Sequence, residues 1–145
     1  MSDPVQNYKN HTKFVPPFHF VAVPILLVNF IWATKHAIEG PAAPTILAAA
    51  TALALLLLAF LARIFALKAQ DRVIRLEMRL LLRELWPAGL HPRIGDFTTS
   101  QLVALRFASD AELPELAQTV LRDGITSQKQ IKLMIKNWKA DHQRV

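Results

Sequence analysis

Two long apolar runs constrain this chain more than any other feature of its sequence. Phe14 to Thr34 contains 21 residues without Lys, Arg, Asp or Glu, and Thr45 to Ala62 contains 18 more. Because each helical residue adds about 1.5 Å of length, either run can cross most or all of a hydrocarbon core roughly 30 Å thick. The ten residues between the runs include the turn formers glycine and proline. The sequence therefore predicts a transmembrane helical hairpin.

The basic residues predict the orientation of this hairpin. Lys9 and Lys13 precede the first run, only Lys35 lies between the runs, and six Lys or Arg residues between positions 63 and 83 follow the second. Basic residues collect on the side of a membrane that is not translocated, so we expect both termini in the cytoplasm. Part of the net charge of +6 comes from these basic residues, whose placement reflects membrane topology. A cleaved signal peptide is the alternative for the first run, which is long for one and lacks a small-x-small cleavage site.

The positions of glycine and proline divide the rest of the chain. Neither residue occurs between Thr45 and Trp86, so the second transmembrane helix is expected to continue as a cytoplasmic stalk that ends near Leu85. A Gly- and Pro-rich linker follows, and either Thr98 or Thr99 can cap the next helix. Ser109 with Glu112, and Ser127 with Gln130, have the spacing of a capping box, and Gly124 is a natural helix end. We predict an all-α membrane protein with a cytoplasmic N-terminal segment (1–13), a transmembrane hairpin (14–67, helices near 14–36 and 44–67), the stalk (68–86), a linker (87–97) and a cytoplasmic helical module (98–145).

Small and apolar residues repeat along the second helix with the spacing of a coiled coil. The spacing alternates between four and three residues, and the members of this seam are Ala48, Ala52, Leu55, Ala59, Ala62, Ala66, Ala69, Val73, Leu76 and Leu80. Alanines let helices approach closely in lipid, whereas burial of Val and Leu drives association in water. An Ala-rich helix places Ala at many spacings in any case. We predict that the seam packs against the first helix, another copy or another protein.

A second apolar face and a basic stripe share the stalk with the seam. The second face consists of Leu67, Ile74, Met78, Leu81 and Leu85. Since one helix cannot hide two apolar faces, either the C-terminal helices cover one of them or the protein oligomerises. The basic stripe consists of Lys68, Arg72, Arg75, Arg79 and Arg83. The stripe can be a solvated face with the positive-inside bias. Alternatively, its first three members contact anionic lipid headgroups or an acidic partner, and the last two contact an acidic partner or the acidic residues of the C-terminal module.

The last helix, opened by Ser127 and expected to run to about His142, is amphipathic. One side carries Ile131, Met134, Ile135 and Trp138, and another carries Lys129, Lys132, Lys136 and Lys139. The apolar side can pack on the stalk or the preceding helix with the lysines in water. Alternatively, the helix lies on the cytoplasmic leaflet, where the lysines contact anionic lipid or an acidic partner. Nucleic acid is not an expected partner, because base-stacking aromatics and a recognised reading fold are not evident.

Few polar groups in the sequence suggest chemistry. Asn29 lies inside the first run, where it can hydrogen-bond across helices or, alternatively, line a pore. Pro24 should kink the same helix. The sequence has no cysteine and no phosphate-binding Gly loop, and its carboxylates form no pair that indicates acid–base chemistry. His19 and His36 lie too far apart on one helix to bind one ion. We therefore expect no enzyme activity, metal, cofactor or small-molecule substrate.

Two distinctive strings lie near the ends of the chain. They are Gln6-Asn7-Tyr8-Lys9-Asn10-His11 with Phe14-Val15-Pro16, and Ile135-Lys136-Asn137-Trp138-Lys139-Ala140-Asp141-His142. With these strings the chain resembles a small bacterial family of uncharacterised membrane proteins. The resemblance covers most of the chain and implies two transmembrane segments and residence in the bacterial inner membrane. It carries over no activity and no catalytic residue.

These features together predict a non-enzymatic integral membrane protein that assembles through its second helix and stalk. It would do so as a homo-oligomer or as an accessory subunit of a larger membrane complex, with membrane lipids and a second copy or another membrane protein as partners. One alternative is an oligomeric channel or transport component lined by the first helix. Another is a membrane-tethered regulator that binds anionic lipid or nucleic acid through its basic last helix.

Overall fold

A computed structural model of the chain describes Tyr8 and residues 15–141, and this part is helical, without a β-strand. The prediction of an all-helical chain with two long apolar helices is confirmed. The chain divides into two compact units at Leu67 and Lys68. The N-terminal segment predicted for 1–13, apart from Tyr8, and the predicted helix end at His142 lie outside the described residues.

The first helix contains a change of helix type next to its internal proline. A π-helical stretch, Pro17–Ala22, leads into α1, Val23–Glu39. Pro24 occupies the first turn of α1, where the missing N–H group removes no α-helical hydrogen bond. A π-helical stretch thus lies just before the proline at which the sequence predicts a kink. The helix lies a few residues later in the chain than the predicted 14–36.

A three-residue turn separates α1 from α2, which covers Ala43–Leu85. The Thr45 hydroxyl accepts the Ala42 N–H at 3.0 Å and lies 2.9 Å from the Gly40 carbonyl oxygen. These bonds satisfy backbone groups that would otherwise lack partners at the start of a helix. The helix ends at Leu85, the residue near which the sequence predicts its end.

Apolar surface of the first unit is mostly exposed. The most apolar 18-residue window of each long helix is only 6% buried, and both helices are long and apolar enough to cross a membrane. Ala33 and Ala52 are the buried exceptions among the described residues of this unit. Buried and half-buried positions recur at three- and four-residue spacing, at Ala22, Leu26, Phe30, Ala33 and Ala37 in the first helix and at Thr45, Ala49, Ala52, Leu56 and Ala59 in α2.

The second unit has a compact core built on the last part of α2. Its helices are a 3-10 helix, Ala88–Asp96, followed by α3, Thr99–Leu105, α4, Leu113–Arg122, and α5, Gln128–Met134. One buried cluster joins Leu82 of α2 to Leu102, Phe107 and Ile131. The Trp86 indole donates a hydrogen bond to the Pro114 carbonyl oxygen at 3.1 Å, which ties the end of α2 to the start of α4.

Three of the predicted capping signals in the second unit are present, at Thr98, Ser127 and Gly124. The capping box expected from Ser109 and Glu112 is not, because no side-chain hydrogen bond among the described residues caps the start of α4. Thr98 and Gln101 form a reciprocal capping box at the start of α3. The Ser127 hydroxyl accepts the Gln130 N–H at 3.5 Å at the start of α5. Gly124, with a φ of 61°, follows the end of α4 in the left-handed conformation that favours glycine. The segment predicted as a linker differs, because its 3-10 helix and Phe97 contribute to the buried core.

The prediction that the last helix runs to about His142 is wrong, because α5 ends at Met134. The Glu112 carboxylate accepts the N–H groups of Lys136 and Asn137, each at 2.9 Å. The Lys139 N–H donates to the Phe107 carbonyl oxygen at 2.8 Å. These N–H groups would bond within a helix if α5 continued, so the competing acceptors end it.

Candidate helix-docking surface

The seam residues of the stalk form an exposed apolar surface in the second unit. Val73 is 54% exposed, Leu76 is 60% exposed and Leu80 is 55% exposed, and we call these three residues the stalk seam. On the same helix turns, Met78 and Leu82, at 4% and 0%, belong to the buried cluster. The chain's own C-terminal helices therefore cover the second apolar face of the stalk and leave the seam face open.

Charged residues border the stalk seam on both sides. In the heptad register that places Val73 and Leu80 at position a, Arg72 and Arg79 fall at g, on one flank, whereas Glu77 and Glu84 fall at e, on the other. Three of the four flanking residues are exposed and Arg79 is half-buried. The two glutamates were missing from the candidates chosen from the sequence. The heptad register contains the signal that identifies them.

A groove runs between the stalk seam and the 3-10 helix. It encloses about 450 Å³ and is lined by Leu76, Arg79, Leu80, Arg83, His91, Pro92, Ile94 and Gly95. Its polar side chains are basic or imidazole, and its remaining walls are apolar. The Arg79 Nε atom is buried and has no hydrogen-bond partner among the described residues. The groove therefore offers apolar contact together with positive charge.

The seam continues into the first unit with a changed pattern of exposure. Ala48, Leu55 and Ala62 are exposed there, and so is Ala69 just beyond the boundary between the units. Ala52 is buried, and Ala59 and Ala66 are half-buried. Only one column of the seam is therefore open along this part of α2, whereas both columns are open at the stalk seam. The seam is most completely exposed in residues 73–80.

The other candidates on the two long helices do not converge on one site. Lys68 and Arg72 are exposed on α2, and Arg75 is half-buried. Asn29 is exposed on α1, outside the half-buried positions of that helix. Each of these residues is therefore an isolated polar or basic side chain, and they do not form a shared binding site.

The four lysines predicted for the last helix do not share one helical stripe, so that prediction is wrong. Lys129 and Lys132 lie on α5, and the Lys132 Nζ atom is 5.4 Å from the centre of the Phe107 ring. Lys136 and Lys139 follow the end of the helix, where the Lys139 Nζ atom pairs with the Asp110 carboxylate at 2.8 Å. The helix is shorter because its following N–H groups bond elsewhere in the unit.

The arrangement of these side chains suits the binding of a helix. Exposed aliphatic side chains at heptad spacing with charged margins are the components of a helix–helix interface. Across the part of the chain that the structure describes, no three His, Asp or Glu side chains lie close enough to hold a metal ion.

Comparison with known proteins identifies a family. Residues 1–145 match DUF6526, a family of unknown function, and the chain belongs to it. This bears out the resemblance of the terminal strings to a small uncharacterised family. No curated protein and no solved structure matches the chain significantly.

Proposed function

We propose that this member of a family of unknown function is a non-enzymatic membrane protein that assembles through α2. It would act as a homo-oligomer or as an accessory subunit of a larger membrane complex in the bacterial inner membrane. Its two long apolar helices would form a transmembrane hairpin with both termini in the cytoplasm. The three- and four-residue spacing of their half-buried positions supports the hairpin, and the basic residues on either side of it support the orientation.

One observation carries the assembly proposal, namely the exposure of the stalk seam. Val73, its first residue, lies 11 positions beyond the end of the apolar run at Ala62, which is roughly 16 Å along a helix. Apolar side chains are stable when exposed to lipid. At about 16 Å beyond the end of the apolar run, however, we expect the stalk seam to be surrounded by water. An exposed apolar patch in water is characteristic of an interaction site. The chain's own C-terminal helices already pack on the opposite face of the stalk. We therefore expect a helix from another chain to pack on the stalk seam.

The assembly proposal predicts that a charge placed on the stalk seam disrupts a complex. Leu76→Lys introduces an ammonium group at a position that is 60% exposed in the chain and would be buried in the assembly. Leu133→Lys is the matched control, because Leu133 on α5 is 59% exposed and lies outside the seam. We expect native mass spectrometry of protein extracted from membranes to show a smaller assembly for the first variant only. An unchanged assembly mass in Leu76→Lys would contradict the proposal.

The membrane part of the proposal has its own test. We expect the chain to stay in the pellet when membranes are ultracentrifuged without detergent, because the exposed apolar surface of the first unit needs lipid around it. A compact, monodisperse chain in the supernatant would overturn the transmembrane hairpin.

A further inference from the structure

We infer that the helix that covers the stalk seam is α2 of a second copy of this chain, parallel to the first and in register with it. This inference rests on the proposed assembly function and names its partner. The stalk seam supplies the apolar centre of the pair. The charged residues on either side of the seam, Arg72 and Arg79 on one flank and Glu77 and Glu84 on the other, indicate which partner binds and in which direction.

The spacing of the flanking charges matches a parallel coiled coil. Arg72 precedes Glu77 by five residues, and Arg79 precedes Glu84 by five. In a parallel two-stranded coiled coil, a residue at position g faces position e of the next heptad of the partner, which is five residues further along. Two copies in register would therefore pair arginine with glutamate twice on each side of the seam. The two-fold symmetry of such a pair gives four ion pairs.

Among the described residues 15–141, no other side chain forms an ion pair with any of these four. Arg79 also has a buried Nε atom without a hydrogen-bond partner in the same range. Arg72, Glu77 and Glu84 are exposed, Arg79 is half-buried, and none of the four has a described ionic partner that would compete with a second chain. A second copy carries the complementary sign at the required positions.

The direction of the partner follows from charge and from topology. In an antiparallel pair, g faces g and e faces e, so arginine would meet arginine and glutamate would meet glutamate. Two copies inserted in one membrane with the same orientation also present their second helices in the same direction. Both arguments select the parallel arrangement. Holding the copies in one membrane raises their effective concentration, so a short interface is sufficient for pairing.

Cysteine crosslinking of the full-length protein in isolated membranes tests the direction of the pair. The chain contains no cysteine, so each variant reports a single site. A disulfide joins Cα atoms about 4.4–6.8 Å apart, whereas seven helical residues span about 10 Å. We expect Val73→Cys and Leu80→Cys each to form a disulfide-linked dimer. Ser100→Cys, at an exposed position on α3, is the control and is expected to stay monomeric under the same oxidation.

Charge reversal tests the flanking pairs. Glu77→Arg with Glu84→Arg makes both margins positive, and Arg72→Glu with Arg79→Glu makes both negative. We expect each double variant to raise the dissociation constant of the dimer in liposomes at least about 10-fold, measured by energy transfer between labelled copies. A mixture of the two double variants, and the quadruple variant with all four charges exchanged, should associate as the wild type does. Circular dichroism checks that every variant keeps its helices.

The possible outcomes separate this inference from the proposed function. A disulfide between a Leu76→Cys chain and a Leu80→Cys chain, with none in either variant alone, would show an antiparallel pair, because position a faces position d in that arrangement, and would overturn the inference. Linkage of Val73→Cys to a different membrane protein would also overturn it, while the proposed assembly function would stand. Wild-type association in both double variants would refute the charge pairing. A chain that is monomeric throughout and links to nothing would overturn both proposals.

Discussion

Replacement of Leu82 by alanine should separate the C-terminal helices from the last part of α2. Leu82 is 0% exposed and belongs to one buried cluster with residues of α3, α4 and α5. Truncation of a fully buried leucine removes its transfer free energy and leaves a cavity, which together cost about 3–5 kcal/mol. Leu133→Ala is the matched control, because Leu133 is 59% exposed and its truncation should change stability by less than about 1 kcal/mol.

Hydrogen exchange of the full-length protein in detergent measures this difference. If the second unit opens cooperatively, a loss of about 3–5 kcal/mol accelerates exchange of the amides in α3 and α4 by roughly 100- to 5,000-fold. The apolar part of α1 should exchange as in the wild type, since it belongs to the other unit. Equal exchange in Leu82→Ala and Leu133→Ala would refute the reasoning, because Leu82 would then not hold α3 and α4 on α2.

Two further predictions concern carboxylates of the second unit. Glu112→Gln removes the charge that holds the N–H groups of Lys136 and Asn137, so we expect their exchange to accelerate about 10- to 100-fold, and unchanged exchange would contradict this role. The Arg122 guanidinium donates a hydrogen bond to the Asp123 carboxylate at 2.8 Å and lowers the pKa of that carboxyl group. The small stabilisation from this exposed pair is present above the usual pKa of aspartate and is lost as the pH falls through the lowered value. Nuclear magnetic resonance should show the Asp123 midpoint rising in Arg122→Gln, and an equal midpoint in both proteins would exclude the pairing.

The apolar helices illustrate what can be predicted without tertiary contacts. Their length and composition are local properties, and the absence of glycine and proline between Thr45 and Trp86 indicates a single continuous helix. The structure places α2 at Ala43–Leu85. Capping at Thr98 was predictable for the same reason, since the capping box depends on residues only three positions apart.

The end of the last helix depends on contacts between residues far apart in the sequence. Periodicity continues past Met134 and favours a longer helix. Glu112, more than twenty positions earlier, accepts the backbone N–H groups that a longer helix would use. No local pattern around residues 135–141 records that competition. The lysine stripe expected on this helix is wrong for the same reason.

The sequence by itself determined that the chain is helical with two long apolar helices, and it determined the periodic faces of those helices. Helix length, apolar composition and heptad spacing all depend on residues close together in the chain. Only the tertiary structure decided which face of the stalk stays open. The stalk carries two apolar faces, and their local patterns do not distinguish the one that the C-terminal helices cover. Burial of Leu82 and exposure of Leu76 result from long-range packing of α3, α4 and α5, which places one face in the core and leaves the other exposed.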